Sequence, residues 1–301
     1  MPPLAPAGAS SVIALPEERT TALKAKYARA GAAARLRRIA LFAALVVAIG
    51  IAAHVAEIDP ATFWRKLGGL TSYVDRIGRL DNGERVWTDP AEWFWGLRRW
   101  LRLLGETLLT SYVGTLWGAA TAFLLCFVAS AKTNGALALR FLAKRFLEFS
   151  RTVPSLVFAL VFVVAFGLGP LPGVIAIAVH TAGALGKLFT EIVDNVDERP
   201  MEGVRASGGS LVNVIRFAVL PQVMSNFATY TLLRFEVNVR EATVMGFVGA
   251  GGIGDEFLIA IRRFYYSDVS AILVLIIVTV FLIDFGSEQL RHRVLIDRRA
   301  S

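Results

Sequence analysis

The chain has 301 residues, is 55% hydrophobic and has a mean hydropathy of +0.57, which is too apolar for a water-soluble domain of that length. Its formal net charge of +8 is no sign of nucleic acid, because in membrane proteins Lys and Arg accumulate in cytoplasmic loops. The single cysteine, Cys126, lies in an apolar run, excludes an intrachain disulfide and reads as a small buried hydrophobe. The two-residue alternation of a membrane barrel is not visible, so apolar runs of about 20 residues are expected as helices that satisfy their own backbone. The expected class is an all-α polytopic membrane protein with about six transmembrane helices.

In chain order, residues 1–37 form a basic tail, with Lys24, Lys26, Arg29, Arg35 and Arg37 ahead of the first span; the Ala- and Pro-rich residues 1–20 read as disordered. The first span, 38–57, reads as an uncleaved anchor, since the leader before it is long for a secretory signal. Residues 58–104 are extracytoplasmic on this reading. They hold Trp87, Trp93, Trp95 and Trp100 beside Arg98, Arg99 and Arg102, a pattern expected of an interfacial helix leading into the second span. A docking face for an external binding protein is the alternative there. The remaining spans are expected at 105–130, 148–168, 172–193, 222–250 and 268–290, within a core of 105–292, followed by a short tail, 293–301. Pro154, Pro172 and Pro221 mark span starts, where a missing N–H costs no hydrogen bond. With both termini cytoplasmic, the inner segments carry 18 Lys and Arg and the outer ones 10, which favours that orientation.

Between the fourth and fifth spans lies a polar loop, 194–221, containing EGVRASGGSLVNVIRFAVLP from Glu202 to Pro221. Two helical turns joined at glycine would present a compact knob to a partner, and a proline would set the departure of the next span. An ordinary inter-span loop is the plain alternative. The spacing of Glu202, Gly208, Leu220 and Pro221 resembles the cytoplasmic coupling loop of bacterial ABC-importer permeases. Gly203 and Val204 stand where that family has two alanines, and Ala218 where it has isoleucine. Arg205, Ala206, Gly208 and Gly209 look like the phosphonate-permease variant. The string REATVMGFVGAGGIG, from Arg240 to Gly254, is similar to the end of the fifth span in phosphonate permeases, as are residues 167–191 and 276–285. Related strings occur in methionine and quaternary-amine permeases. Residues 249–254 also satisfy G-x-G-x-x-G, but they end a span and position 274 is Val, so no dinucleotide fold is indicated.

The resemblance implies a permease that does no chemistry itself. Its partners would be a second identical copy, a cytoplasmic ABC ATPase dimer that binds ATP and Mg, an extracytoplasmic phosphonate-binding protein and membrane lipid. It further implies the bacterial plasma membrane, phosphonate as cargo with phosphate or phosphite as alternatives, and no cofactor or metal in this chain. Methionine or a quaternary amine is the alternative cargo, and an ATPase-independent carrier or membrane enzyme the more distant one. No Walker-type phosphate loop, H-E-x-x-H or paired Cys-His spacing is present in the sequence. Intramembrane ionisable groups are costly and tend to face a pore or a partner. On that basis His180, Lys187, Arg234, Asn238, Arg240 and Glu241 are candidates for an anion path, with Arg234 roughly 18 Å along its helix from Pro221. Glu236 and Arg240 are spaced to pair with each other, and Asp284 and Arg151 read as structural. Gly246, Gly249, Gly251, Gly252 and Gly254 are candidate gate glycines, with helix packing as the plain alternative.

Overall fold

The computed structural model describes residues 17–57 and 59–296. The outer parts of the basic tail and of the C-terminal tail, 1–16 and 297–301, lie outside the described residues. Two units are distinguished, Met1–Thr71 and Ser72–Ser301. In the first, α1 (Glu17–Val55) contains an apolar stretch, Ala34–Val55, with none of its most apolar window buried. Its side chains Leu41, Phe42, Leu45 and Ile49 are exposed, as suits a helix bathed in lipid.

Helix α2 (Pro60–Ile77) is amphipathic and was not expected from the sequence, because its apolar residues are too sparse to register as a span. Beyond it, Asp75 accepts from Arg79 Nε at 2.8 Å and pairs with Arg85 at 2.9 Å, and the Arg79 hydrogen bond holds its carboxyl below the usual carboxylate range. The tryptophan-rich stretch does not form one interfacial helix. It gives a short α3 (Pro90–Trp93), capped by Asp89, and then the long α4 (Leu97–Ala129), which begins before the expected residue 105. Trp100 is buried, while the indole N–H groups of Trp93 and Trp95 donate to Ser270 and Asp268 at 2.9 and 2.8 Å. These rings therefore fasten the entry of α4 to the first turn of α12 (Tyr266–Ile296).

The third span is the largest departure. Helices α5 (Leu137–Thr152) and α6 (Ser155–Phe166) are bent by 91° at Pro154, so 148–168 is not one straight crossing. Pro154 is a break between helices because it cannot donate to the carbonyl a turn before it. Among the described residues five helices are long and apolar enough to cross a membrane, and six crossings result if the bent pair counts as one.

Helix α7 (Pro170–Asp194) is central. It packs against α4 through Gly114 and Gly118, where an added Cβ would lie 2.7 Å from Ile177 and 2.6 Å from Thr181. The spacing of four lets two backbones approach closely, as small residues do in lipid. On another side, a Cβ at Gly183 would lie 2.5 Å from the Arg151 backbone nitrogen of α5. Cys126, Phe189, Val193, Val223 and Phe227 form a continuous apolar cluster, with the rings of Phe189 and Phe227 stacked at 3.9 Å. Cys126 is fully buried there, as expected of a small hydrophobe.

Candidate functional site

The connection after α7 is built from short helices. Helix α8 (Arg199–Ala206) ends with the Gly208 N–H on the Arg205 carbonyl at 2.9 Å and the Gly209 N–H on the Val204 carbonyl at 3.0 Å. This paired bonding closes a helix through a residue in left-handed conformation, and Gly208 has φ +79°. Gly209 is fixed for a different reason: a Cβ there would lie 2.7 Å from both Val204 Cγ1 and the Val204 carbonyl oxygen. Ser210 then caps α9 (Leu211–Val214), its hydroxyl accepting from the Asn213 N–H. The outer surface of α8 carries Glu202, Gly203, Arg205 and Ala206, all exposed, while Met201 is buried in the core cluster.

Leu220 and Pro221 lie inside a helical run rather than at a span start. Residues Ile215–Val219 make a π-turn, closed by the Leu220 N–H on the Ile215 carbonyl, and α10 (Leu220–Met245) follows without a break. A π-turn accommodates the proline's missing N–H by widening the turn ahead of it. The side chain of Gln222 also bonds back by one turn: its Nε2 donates to the Ala218 carbonyl at 2.7 Å. The same amide accepts from the Asp197 N–H at 3.1 Å through Oε1, tying the two ends of the connection together. A cavity of about 350 Å³ opens beside this clip, lined by Glu191, Asn195, Asp197, Gln222, Asn226 and Tyr230 among others.

The intramembrane candidates fall into separate places. Arg234 and Glu241 pair at 3.3 Å and are largely enclosed, with Arg234 Nε and Glu241 Oε2 buried and unpartnered. Asn238 is fully buried behind them: its Nδ2 donates to Thr115 and Thr181 Oγ1 at 2.7 and 2.9 Å, joining α10 to α4 and α7. Glu236 and Arg240 are not an ion pair; Arg240 instead reaches both oxygens of Asp284 on α12, at 2.8 and 2.7 Å. That partner is 44 residues away in sequence, and one guanidinium nitrogen, Nη2, is shared between its two oxygens. The pair is open, with side chains 49% and 40% exposed. His180 Nδ1 lies 3.0 Å from the Val153 carbonyl, bracing the break at Pro154, and Lys187 pairs with Glu191 at 3.4 Å on the same helix.

The glycine run is a tight turn between α10 and α11 (Ile253–Arg262), begun by a 3₁₀ turn, Gly246–Val248. Gly249 closes it with φ +85°, its N–H on the Gly246 carbonyl at 3.0 Å and the Ala250 N–H on the Met245 carbonyl at 3.2 Å. Gly246 and Gly254 let the two helices meet: a Cβ at Gly246 would lie 2.5 Å from the Asp255 backbone nitrogen. Gly251 and Gly252 complete the turn, and the Ile253 N–H donates to Thr107 Oγ1 at 3.0 Å. Among the described residues no group of His, Cys, Asp and Glu could hold a metal.

A helical membrane core of this kind, with a short-helix connection between its long helices α7 and α10, has the fold of an ABC-importer permease. Residues 126–295 match the binding-protein-dependent transport system inner membrane components, and the chain belongs to that family. It is 42% identical over 198 residues to a phosphite transport system permease protein of Stutzerimonas stutzeri, covering 66% of this chain and 72% of that one. A phosphate-import permease protein of Mycolicibacterium smegmatis is 36% identical over 192 residues, 64% of this chain and 36% of that longer protein. In fold, the chain is similar to the inward-facing MetNI methionine ABC transporter, with a TM-score of 0.56 at 20% identity over 65% of this chain and 95% of that one.

Proposed function

We propose that this chain is the membrane-spanning half of an ATP-driven importer for a small phosphorus oxyanion, with phosphonate, phosphite and phosphate as the cargo class. The observation that carries the cargo is the naming of its relatives for phosphite and phosphate, at 42% and 36% identity. The methionine transporter shares the fold at 20% identity, which says nothing of cargo. A tetrahedral anion is served by guanidinium donors, and Arg234 and Arg240 offer them on α10.

In this reading two copies enclose the path. The Arg240–Asp284 pair supports it: roughly half-exposed charges within spans are expensive against hydrocarbon and belong against water or a second subunit. The exposed face of α8, with Glu202 and Arg205, fits the cleft of an ATPase on the cytoplasmic side. ATP-driven closure of the ATPase dimer would draw the two α8 knobs together and swing the spans from inward- to outward-open. A binding protein would then release the anion between the subunits, and nucleotide release would reset the cycle. His180, Lys187 and Glu241 are assigned to bracing and pairing within that path, and Asn238 to the helix packing behind it. The glycine turn is assigned to the outer gate, where movement would have to separate α10 from α11.

The test is uptake of radiolabelled phosphite, methylphosphonate and phosphate, in mutual competition, by proteoliposomes holding the permease, its ATPase and its binding protein. Uptake of at least one, dependent on ATP and at least tenfold lower in Glu202→Ala, is expected. ATP-independent uptake, or transport of methionine alone, would refute the assignment.

A further inference from the structure

The α7–α10 connection is clasped by a second loop. Residues 130–136, between α4 and α5, lie beside it, and the contacts between the two are polar. Asp194, at the end of α7, accepts from Ser130 Oγ at 2.5 Å and from the Ala131 N–H at 3.0 Å. Lys132 Nζ donates to the Val196 carbonyl at 2.7 Å and pairs with Glu198 at 3.0 Å. Arg205, in the last turn of α8, donates to the Lys132 carbonyl at 3.2 Å. Lys132 thus grips α8 at both ends, with its ammonium at the start and its backbone at the finish.

The loop is in turn fastened to α4. Thr133 Oγ1 donates to the Phe127 carbonyl at 2.6 Å and Asn134 Nδ2 to the Val128 carbonyl at 2.8 Å. Ser130 and Thr133 are buried, and the Lys132 side chain is only 22% exposed. Between the loop and α8 lies a cavity of about 450 Å³, lined by Lys132, Thr133, Glu198, Met201 and Arg205 among others. Where that space stands open, apolar packing cannot hold the helix, so its position on this side depends on directional polar bonds.

We propose that the α4–α5 loop is a second limb of the coupling element. Lys132 and Asp194 are positioning residues that carry the displacement of α8 into α4 and α5, in parallel with the covalent route through α7 and α10. The proposal rests on α8 being the ATPase-docking helix. It explains why the contacts are charged and short: bonds with fixed partners transmit a push that a greasy contact would let slip.

The test uses the reconstituted complete transporter, with whichever of phosphite, methylphosphonate or phosphate the wild type takes up. Lys132→Met and Asp194→Asn should each lower anion moved per ATP hydrolysed by about five- to tenfold while the ATPase still co-purifies, and Lys132→Arg should retain most of the wild-type ratio. Spin labels at Gly135→Cys and Arg199→Cys give a cargo-independent reading. Their separation should stay constant between nucleotide-free and ATP-bound states, and should change with nucleotide once Lys132→Met is added. If Lys132→Met does not accumulate in the membrane, Ser130→Ala, which removes one hydroxyl from Asp194, serves in both assays. A wild-type ratio in Lys132→Met and Asp194→Asn, with Glu202→Ala uncoupled, overturns the second limb alone. A wild-type ratio in Glu202→Ala as well brings down the docking reading, and this proposal with it.

Discussion

Asn238 illustrates how a polar side chain in lipid acquires a role from its depth. Its Nδ2 bridges two threonines on two neighbouring helices, yet its Oδ1 is buried without a partner. Hydrogen bonds between membrane helices are modest, so Asn238→Leu should cost only about 1 kcal/mol of stability in detergent unfolding. Asn238→Asp should cost about 3 kcal/mol or more, because it buries a second carboxylate among hydroxyls where the one cation on that helix face, Arg234, is already paired with Glu241. Loss of uptake in Asn238→Leu at unchanged stability would instead place the residue on the path. From the sequence, Arg234, Asn238 and Glu241 share a helix face, and the Arg234–Glu241 pair follows from that spacing. The depth of Asn238 does not, since it depends on Thr115 and Thr181, 123 and 57 residues distant. Arg240 is the same lesson reversed: the local partner Glu236 was legible, and the actual one, Asp284, required knowing that α10 and α12 lie side by side.

At the level of elements, the short connection before α10 depends on two adjacent glycines for unlike reasons. Gly208 needs its left-handed backbone but has open space around it, so Gly208→Ala should cost about 1 kcal/mol through strain alone. Gly209 has no room, and Gly209→Ala should displace the end of α8 and disturb the Schellman bonds. Thermal unfolding of the two variants, with ATPase co-purification as a second reading, should rank Gly209→Ala as the more damaging; equal effects would refute the distinction. The glycines and the leucine–proline pair stand out in the sequence, but the π-turn does not. Proline ordinarily announces the first turn of a helix; here a π-turn whose Ala218 and Val219 are buried in the core runs ahead of it, and the helix continues through. Pro154 offered the same signal and gave the opposite result, a sharp break that His180 braces through the Val153 carbonyl.

For the whole molecule, the number of crossings decides the orientation of everything else. The α8 region and the α11–α12 turn flank the single long helix α10 and so belong on opposite faces, while counting α5 and α6 as one crossing puts the α8 region on the side of the N-terminus. Single cysteines introduced at Arg263 and Ser207, both exposed, test this with an impermeant thiol reagent on intact cells: Arg263→Cys should react and Ser207→Cys should not. Labelling of both from outside would overturn the orientation and the docking role of α8. The native Cys126 is buried and gives a quiet background. The number of long helices was visible in hydropathy, since an apolar run of span length admits few other uses. The polar scaffolding was not, because the 130–136 loop works through partners that no local pattern encodes.

The brevity of α6 has a consequence outside the polypeptide. Twelve residues of helix reach about 18 Å, against a hydrocarbon layer of about 30 Å, and the few residues from Gly167 to Gly169 make up only part of the shortfall. Wherever that flank borders lipid, the mismatch predicts a bilayer thinned beside α6, with acyl chains shortening their reach and headgroups sinking toward the elbow at Pro154.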